Sequence, residues 1–114
     1  MKINLKKKPR PYKVGLNQDI IIKDCGSINL EPNEQITFIT IDNKEYDFCR
    51  KSWGYYATPS MNSRLIKFGF KTALVKNSKG QMYIMVVEKQ KIDDFFNYLK
   101  NDNNELIEWL DEKK

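Results

Sequence analysis

Between Asp19 and Glu88 the apolar residues of this chain recur mostly with the two-residue period of half-buried strands. Ile20-Ile21-Ile22 opens a strand that runs to Leu30. Gly26-Ser27 marks a bulge or bend before Ile28-Asn29-Leu30 resumes the alternation. Glu31-Pro32-Asn33-Glu34 is a turn, because the fixed φ of proline suits its second position. Gln35 to Ile41, QITFITI, is rich in β-branched residues and reads as the next strand. Asp42-Asn43 closes it in a tight hairpin, since both residues tolerate positive φ.

Tyr46 and Phe48 begin the return strand on one face, whereas Trp53, Tyr55 and Ala57 sit at the other parity. A strand of period two cannot exchange its apolar face without an inserted residue, so a bulge or break is expected near Arg50 to Ser52. Thr58 to Ser63 is loop, with Pro59 restraining its neighbour. Leu65 to Lys76 and Gln81 to Glu88 then predict a hairpin about Asn77-Ser78-Lys79-Gly80. Met82 to Val87 is apolar on both faces, the mark of a central strand covered on two sides.

After Glu88 the period lengthens. Ile92, Phe95, Phe96 and Leu99 repeat at helical spacing, with Asp93 and Asp94 in the first turn where the helix dipole favours acids. Asp102-Asn103-Asn104 ends that helix and offers a cap for a second, whose stripe is Leu106, Ile107 and Leu110 with Trp109 at its margin. The expected architecture is α+β: a small, strongly bent antiparallel sheet or open barrel of four to six strands, covered by one or two C-terminal helices.

Charge divides the chain more sharply than its total suggests. The net charge is +5, yet Met1 to Val14 holds Lys2, Lys6, Lys7, Lys8, Arg10 and Lys13 with no acid. Residues 92–114 carry three basic and seven acidic residues. Residues 1–14 therefore read as a basic arm, in which like charges repel and two prolines block a helix. The alternation of Met1 to Leu5 also allows a short edge strand. Residues 15–114 read as one β-rich domain, long enough for a core without staples. No apolar run reaches the roughly 20 residues of a membrane span, and Pro9-Arg10-Pro11 stands where a secretion signal would be apolar. A cytoplasmic chain is the expectation.

The chain has no histidine, which excludes Ser-His and Cys-His nucleophile pairs. Cys25 and Cys49 lack metal-ligand spacing, and neither a GxGxxG nor a GxxxxGK[ST] phosphate loop occurs. No cofactor or metal is expected. Glu45 and Asp47 share a strand face, where solvated charges are the plain reading.

What remains is aromatic and basic. Trp53, Tyr55 and Tyr56 offer flat faces, Arg50, Lys51 and Arg64 offer charge and donors, and Ser60, Asn62 and Ser63 add neutral hydrogen-bonding groups. Rings stack on nucleobases or sugar faces, while guanidinium groups fork onto phosphate or carboxylate oxygens. Arg50, Lys51, Trp53, Tyr55, Tyr56, Ser60, Asn62 and Arg64 thus form a candidate site for an anionic ligand, either single-stranded nucleic acid or a phosphorylated or acidic sugar. The same residues also suit a scaffold, with Trp53 and Tyr55 as core anchors and Arg50 paired to Glu45 or Asp47.

Two rival functions stand beside this non-catalytic binding module. One is a protein-interaction subunit of a larger assembly, which a large exposed apolar patch would favour. The other is a small enzyme using Cys49, flanked by Arg50 and Lys51, which requires an accessible sulfur.

Overall fold

The computed structural model describes all 114 residues, and eight strands and two helices follow in chain order. β1 (Lys2–Val14) and β2 (Ile20–Asn29) form a two-stranded antiparallel ribbon. β3 (Gln35–Ile39), β4 (Glu45–Lys51) and β5 (Gly54–Ala57) form a three-stranded meander in that order. A single helical turn, α1 (Arg64–Lys67), leads into a third sheet. That sheet is built of β6 (Phe70–Lys76), β7 (Met82–Glu88) and, after α2 (Ile92–Asn101), β8 (Glu105–Trp109). Its spatial order is β7-β6-β8, every strand pair in the molecule is antiparallel, and none of the three sheets closes on itself. The α+β class is therefore as expected. The covering by C-terminal helices is met only by α2.

The helix expected after Asn104 is strand β8. Leu106 and Trp109 stand three residues apart, which reads as helical spacing, yet both pack against the core. The register shows how: Leu106 opposes Val75 and Trp109 opposes Ala73, with a shift between Leu74 and Val75. The extra residue, Ile107, lets two strand residues three apart face the same way. Five residues are also too few for a stable helix, whereas the second edge of β6 offers a ladder of partners. Asn103, at φ 52, reverses the chain between α2 and β8.

Taking that edge makes β6 the central strand and leaves β7 at the rim. The two-sided apolar run of β7 is thus not covered on two sides, and Met82, Tyr83 and Ile84 are exposed. The core lies on one face of this sheet. Ala73 and Val75 of β6 and Val87 of β7 meet Phe95 and Leu99 of α2, with Met85, Leu106 and Trp109 packed around them. On the other face Phe70 and Thr72 are buried, as is Leu65 of α1. The ring of Tyr46 approaches Phe70 with centroids 6.4 Å apart. Lys44 Nζ, 3.3 Å from Glu88 Oε1 and 3.4 Å from Asp42 Oδ2, bridges the meander to β7.

The C-terminal end is pinned to the central strand by a buried carboxylate. Asp111 accepts the Thr72 N–H at 2.9 Å through Oδ1 and Lys71 Nζ at 2.8 Å through Oδ2. Burial alone would raise its pKa, but the Lys71 ammonium and the Thr72 amide outweigh that and hold it below the usual carboxylate range.

The basic arm is not a tail but strand β1. Lys2 to Leu5 pairs with Gly26 to Asn29, and Arg10 to Val14 pairs with Ile20 to Asp24. Lys6 to Pro9 bulge out opposite Cys25, so the irregularity foreseen at Gly26 inserts its residues on the partner strand. Gly26, at φ 141, is needed there, because a Cβ would lie 2.1 Å from the Asn4 carbonyl oxygen. Both prolines fit because a ribbon strand leaves one edge unpaired. No helix is long and apolar enough to cross a membrane.

Candidate functional site

The break expected near Arg50 to Ser52 is a hairpin rather than a bulge. Lys51 pairs with Gly54, so Ser52-Trp53 is a two-residue loop and Gly54, at φ 151, begins the return strand. The apolar parity changes because the chain reverses, not because one strand slips. Trp53 at the loop is 71% exposed, and Tyr55 and Tyr56 are exposed on the edge strand β5.

Strand geometry then splits the predicted residues. Arg50 opposes Tyr55 and Cys49 opposes Tyr56, so Tyr55 and Tyr56 point to opposite faces. On one face the Arg50 guanidinium lies over the Tyr55 ring at 5.4 Å, and its Nη1 donates to the Gly54 carbonyl at 3.4 Å. On the other, the Trp53 and Tyr56 rings stack with centroids 6.4 Å apart and 24° between planes. Lys51 donates to Asn33 Oδ1 at 2.7 Å. Arg64 donates to Thr58 Oγ1 at 3.1 Å, lies 3.8 Å from Asp47 Oδ2 and covers the Phe68 ring at 5.8 Å. Each of the three cations therefore already has a partner within the chain.

Ser60 Oγ accepts the Arg64 N–H at 3.0 Å and so serves the start of α1, while Asn62 is exposed on the same loop. Arg50 with Tyr55 and Trp53 with Tyr56 form two local groups on opposite faces of the meander, while Ser60, Asn62 and Arg64 lie on the loop beyond it and at the start of α1. Cys49 is buried between strands and Cys25 is exposed on the ribbon; both are free thiols.

A concave surface lies elsewhere, where the ribbon tip meets the third sheet. A cavity of about 450 Å³ opens there, lined by apolar Val14, Ile22 and Met85 and by Tyr83, Tyr98 and Asp102. Asp102 Oδ1 accepts the Leu16 N–H at 2.8 Å, which ties the ribbon tip to the end of α2. The Tyr98 hydroxyl is raised above its ordinary pKa, chiefly by burial and then by the nearby Asp102 and Tyr83 oxygens. Sequence reasoning missed this cavity. Its walls come from four separate elements and its polar members form no motif, so no local signal could have found it. The nearest hint was Gly15, whose φ of 92 turns the ribbon.

Comparison with family models, curated protein sequences and solved structures finds no match to this chain.

Proposed function

We propose that this chain is a non-catalytic interaction module whose exposed strands are covered by another polypeptide. One observation carries the reading. The accessible surface is 8533 Å². A folded monomer of 13.5 kDa has about 6500 Å² by the usual size scaling. The chain thus exposes about 2000 Å² more than a self-sufficient domain of its mass. Its Cα radius of gyration, 15.7 Å, likewise exceeds the roughly 13 Å expected for this length.

The excess is apolar in places where burial is the rule. Ile3, Leu5, Ile21, Ile22 and Ile28 of the ribbon are exposed, as are Met82, Tyr83 and Ile84 on the free edge of β7. An isolated two-stranded ribbon is marginal in water, and an exposed apolar edge strand is a template for pairing. A partner that covered both would supply what the fold lacks.

The test is dye binding at low concentration. A purified chain with fixed near-UV dichroism should bind an apolar fluorescent dye below micromolar concentration and release it when the covering polypeptide is present. A folded chain that binds no dye at any dilution would overturn the reading.

A second reading keeps the anionic ligand, single-stranded nucleic acid or an acidic sugar. What favours it is the exposed Trp53–Tyr56 stack beside Lys51, together with the open lysines of β1. It requires contacts with the nucleic acid or sugar that the in-chain pairing of Arg50 and Arg64 does not offer.

A further inference from the structure

The cavity between the ribbon tip and the third sheet carries a charge that the fold does not neutralise. Asp102 closes the C-terminal end of α2 and lines both this cavity and a neighbouring one of about 330 Å³. A helix dipole is negative at that end and disfavours an acid there, so Asp93 and Asp94 in the first turn are well placed and Asp102 is not. No cation of the chain offsets it. Lys100, the basic residue of the last turn, is exposed and makes no ion pair. Neither Asp102 nor Asp19, the acid of the second cavity, belongs to any ion pair of the fold.

Holding the ribbon does not require that charge. Asp102 Oδ1 accepts the Leu16 N–H at 2.8 Å, and Oδ2 has no hydrogen-bond partner. A neutral asparagine would accept the same N–H, and the chain has asparagine at Asn101, Asn103 and Asn104 around it. Of these four residues only Asp102 lines both cavities.

What surrounds the carboxylate suits a cation with an apolar body. The Asp102 N–H donates to the Tyr98 carbonyl at 3.2 Å, one helical turn back, and Tyr98 lines both cavities with it. Burial raises the Tyr98 hydroxyl above its ordinary pKa, and the Asp102 and Tyr83 oxygens add to this, so three oxygens converge on one part of the wall. The faces of the two tyrosine rings attract positive charge as well. Beside them Val14 and Ile22 of the ribbon and Met85 of β7 are apolar. Tyr83 and Met85 share the face of β7 that meets α2, since they oppose Val75 and Ala73 of the core. Lys79, exposed on the turn between β6 and β7, is the one cation among the lining residues.

We infer that the cavity is a binding site for a small organic amine. Its ammonium group donates to Asp102 Oδ2 and the Tyr98 hydroxyl, and its apolar or aromatic body lies against Val14, Ile22 and Met85. The volume falls within the roughly 300 to 1000 Å³ of small-molecule sites. Charge-assisted hydrogen bonds fix the orientation, and burial of the body adds affinity. The bound amine neutralises the carboxylate where the fold does not. This site belongs to the chain alone and stands or falls apart from the covering polypeptide proposed above.

Three probes of similar shape and different charge test this: phenethylamine, the neutral phenethyl alcohol and the anionic phenylpropionate. Each is titrated into the isotope-labelled full chain at neutral pH and followed by its amide shifts. The amine should bind with a Kd on the order of 0.5 mM, ordinary for so few atoms, and about tenfold tighter than either control. Its shifts should centre on Leu16, Met85, Tyr98 and Asp102. Asp102→Asn keeps an acceptor for the Leu16 N–H and should lose the preference for amine over alcohol. Asp93→Asn, at the opposite end of α2, should retain it.

An alcohol that binds as tightly as the amine would overturn the inference. Tighter binding of phenylpropionate would overturn it too and assign the cavity to Lys79. So would amine shifts centred elsewhere, shifts that survive Asp102→Asn unchanged, or no shifts at about 10 mM amine. Should Asp102→Asn loosen the ribbon, the charge series and the location of the shifts on the wild type decide without it.

Discussion

Asp111→Ala should destabilise the chain by roughly 3 kcal/mol, the usual cost of removing one partner of a buried ion pair. The side chain is 1% exposed, and its two oxygens hold groups on β6: the Thr72 amide through one and the Lys71 ammonium through the other. Alanine leaves a buried N–H without an acceptor and a half-buried ammonium with only the exposed Glu112, 3.2 Å away. With about 2.1 cal/mol/K per residue of unfolding entropy, a loss of 3 kcal/mol lowers the melting temperature by about 12 °C. Glu112→Ala is the control, and should cost less than about 1 kcal/mol because that pair is solvent-screened.

The pH dependence has a definite sign. The folded Asp111 carboxyl titrates below its unfolded value, so its contribution is complete above the ordinary aspartate pKa and disappears as pH falls through the folded one. Urea melts at pH 7, 5 and 3.5 should therefore show the gap between wild type and Asp111→Ala narrowing at the acid end. A melting shift under about 3 °C, or a gap as wide at pH 3.5 as at pH 7, would refute the role assigned to this carboxylate.

Three further outcomes follow from the same geometry. Gly26→Ala places a methyl group against the Asn4 carbonyl at a disallowed distance and should loosen the ribbon alone. Its amides should exchange at least about tenfold faster, about 1.4 kcal/mol, while those of α2 and β6 stay protected; uniform loss of protection would count against a ribbon that opens separately. Leu65→Ala empties a site with no exposure and should cost about 2 to 5 kcal/mol in chemical denaturation, against under about 0.5 for exposed Met61→Ala. If the anionic reading holds, a single-stranded oligonucleotide should quench Trp53 fluorescence with an affinity that falls steeply between 50 and 200 mM salt; Trp53→Ala should weaken it by about 1 to 3 kcal/mol, and salt-independent binding would reject it.

Local pattern revealed most of the strands and little of their arrangement. β2, β3 and β7 stood where alternation placed them, whereas the strand expected from Leu65 begins only at Phe70, because Arg64–Lys67 is the helical turn α1. The Asp42-Asn43 turn carries the positive φ, 64° at Asn43, that its composition foretold. Turn chemistry is written within a few residues, so it can be read directly. Strand order is not. Whether β7 or β6 lies in the middle depends on where β8 docks, and β8 disguises itself as a helix because the Ile107 bulge reproduces a three-residue spacing. The same gap affected the candidate site: parity identified an interruption near Ser52, but a bulge and a two-residue hairpin give identical sequence parity and opposite side-chain groupings.

The basic arm shows where composition misleads most. Six cations and two prolines mask an alternation that continues from Ile3 to Val14 once four bulged residues are set aside. Charge repulsion argues for a tail only when nothing pays for holding the strand straight, and here β2 supplies nine paired positions against it. Yet that pairing buries almost none of the isoleucine it aligns. Backbone hydrogen bonds fix the ribbon's register but leave much of its apolar face in water, so the favourable burial term is small where β2 carries four isoleucines. On the interaction reading proposed above, these unburied isoleucines are the residues a partner would cover.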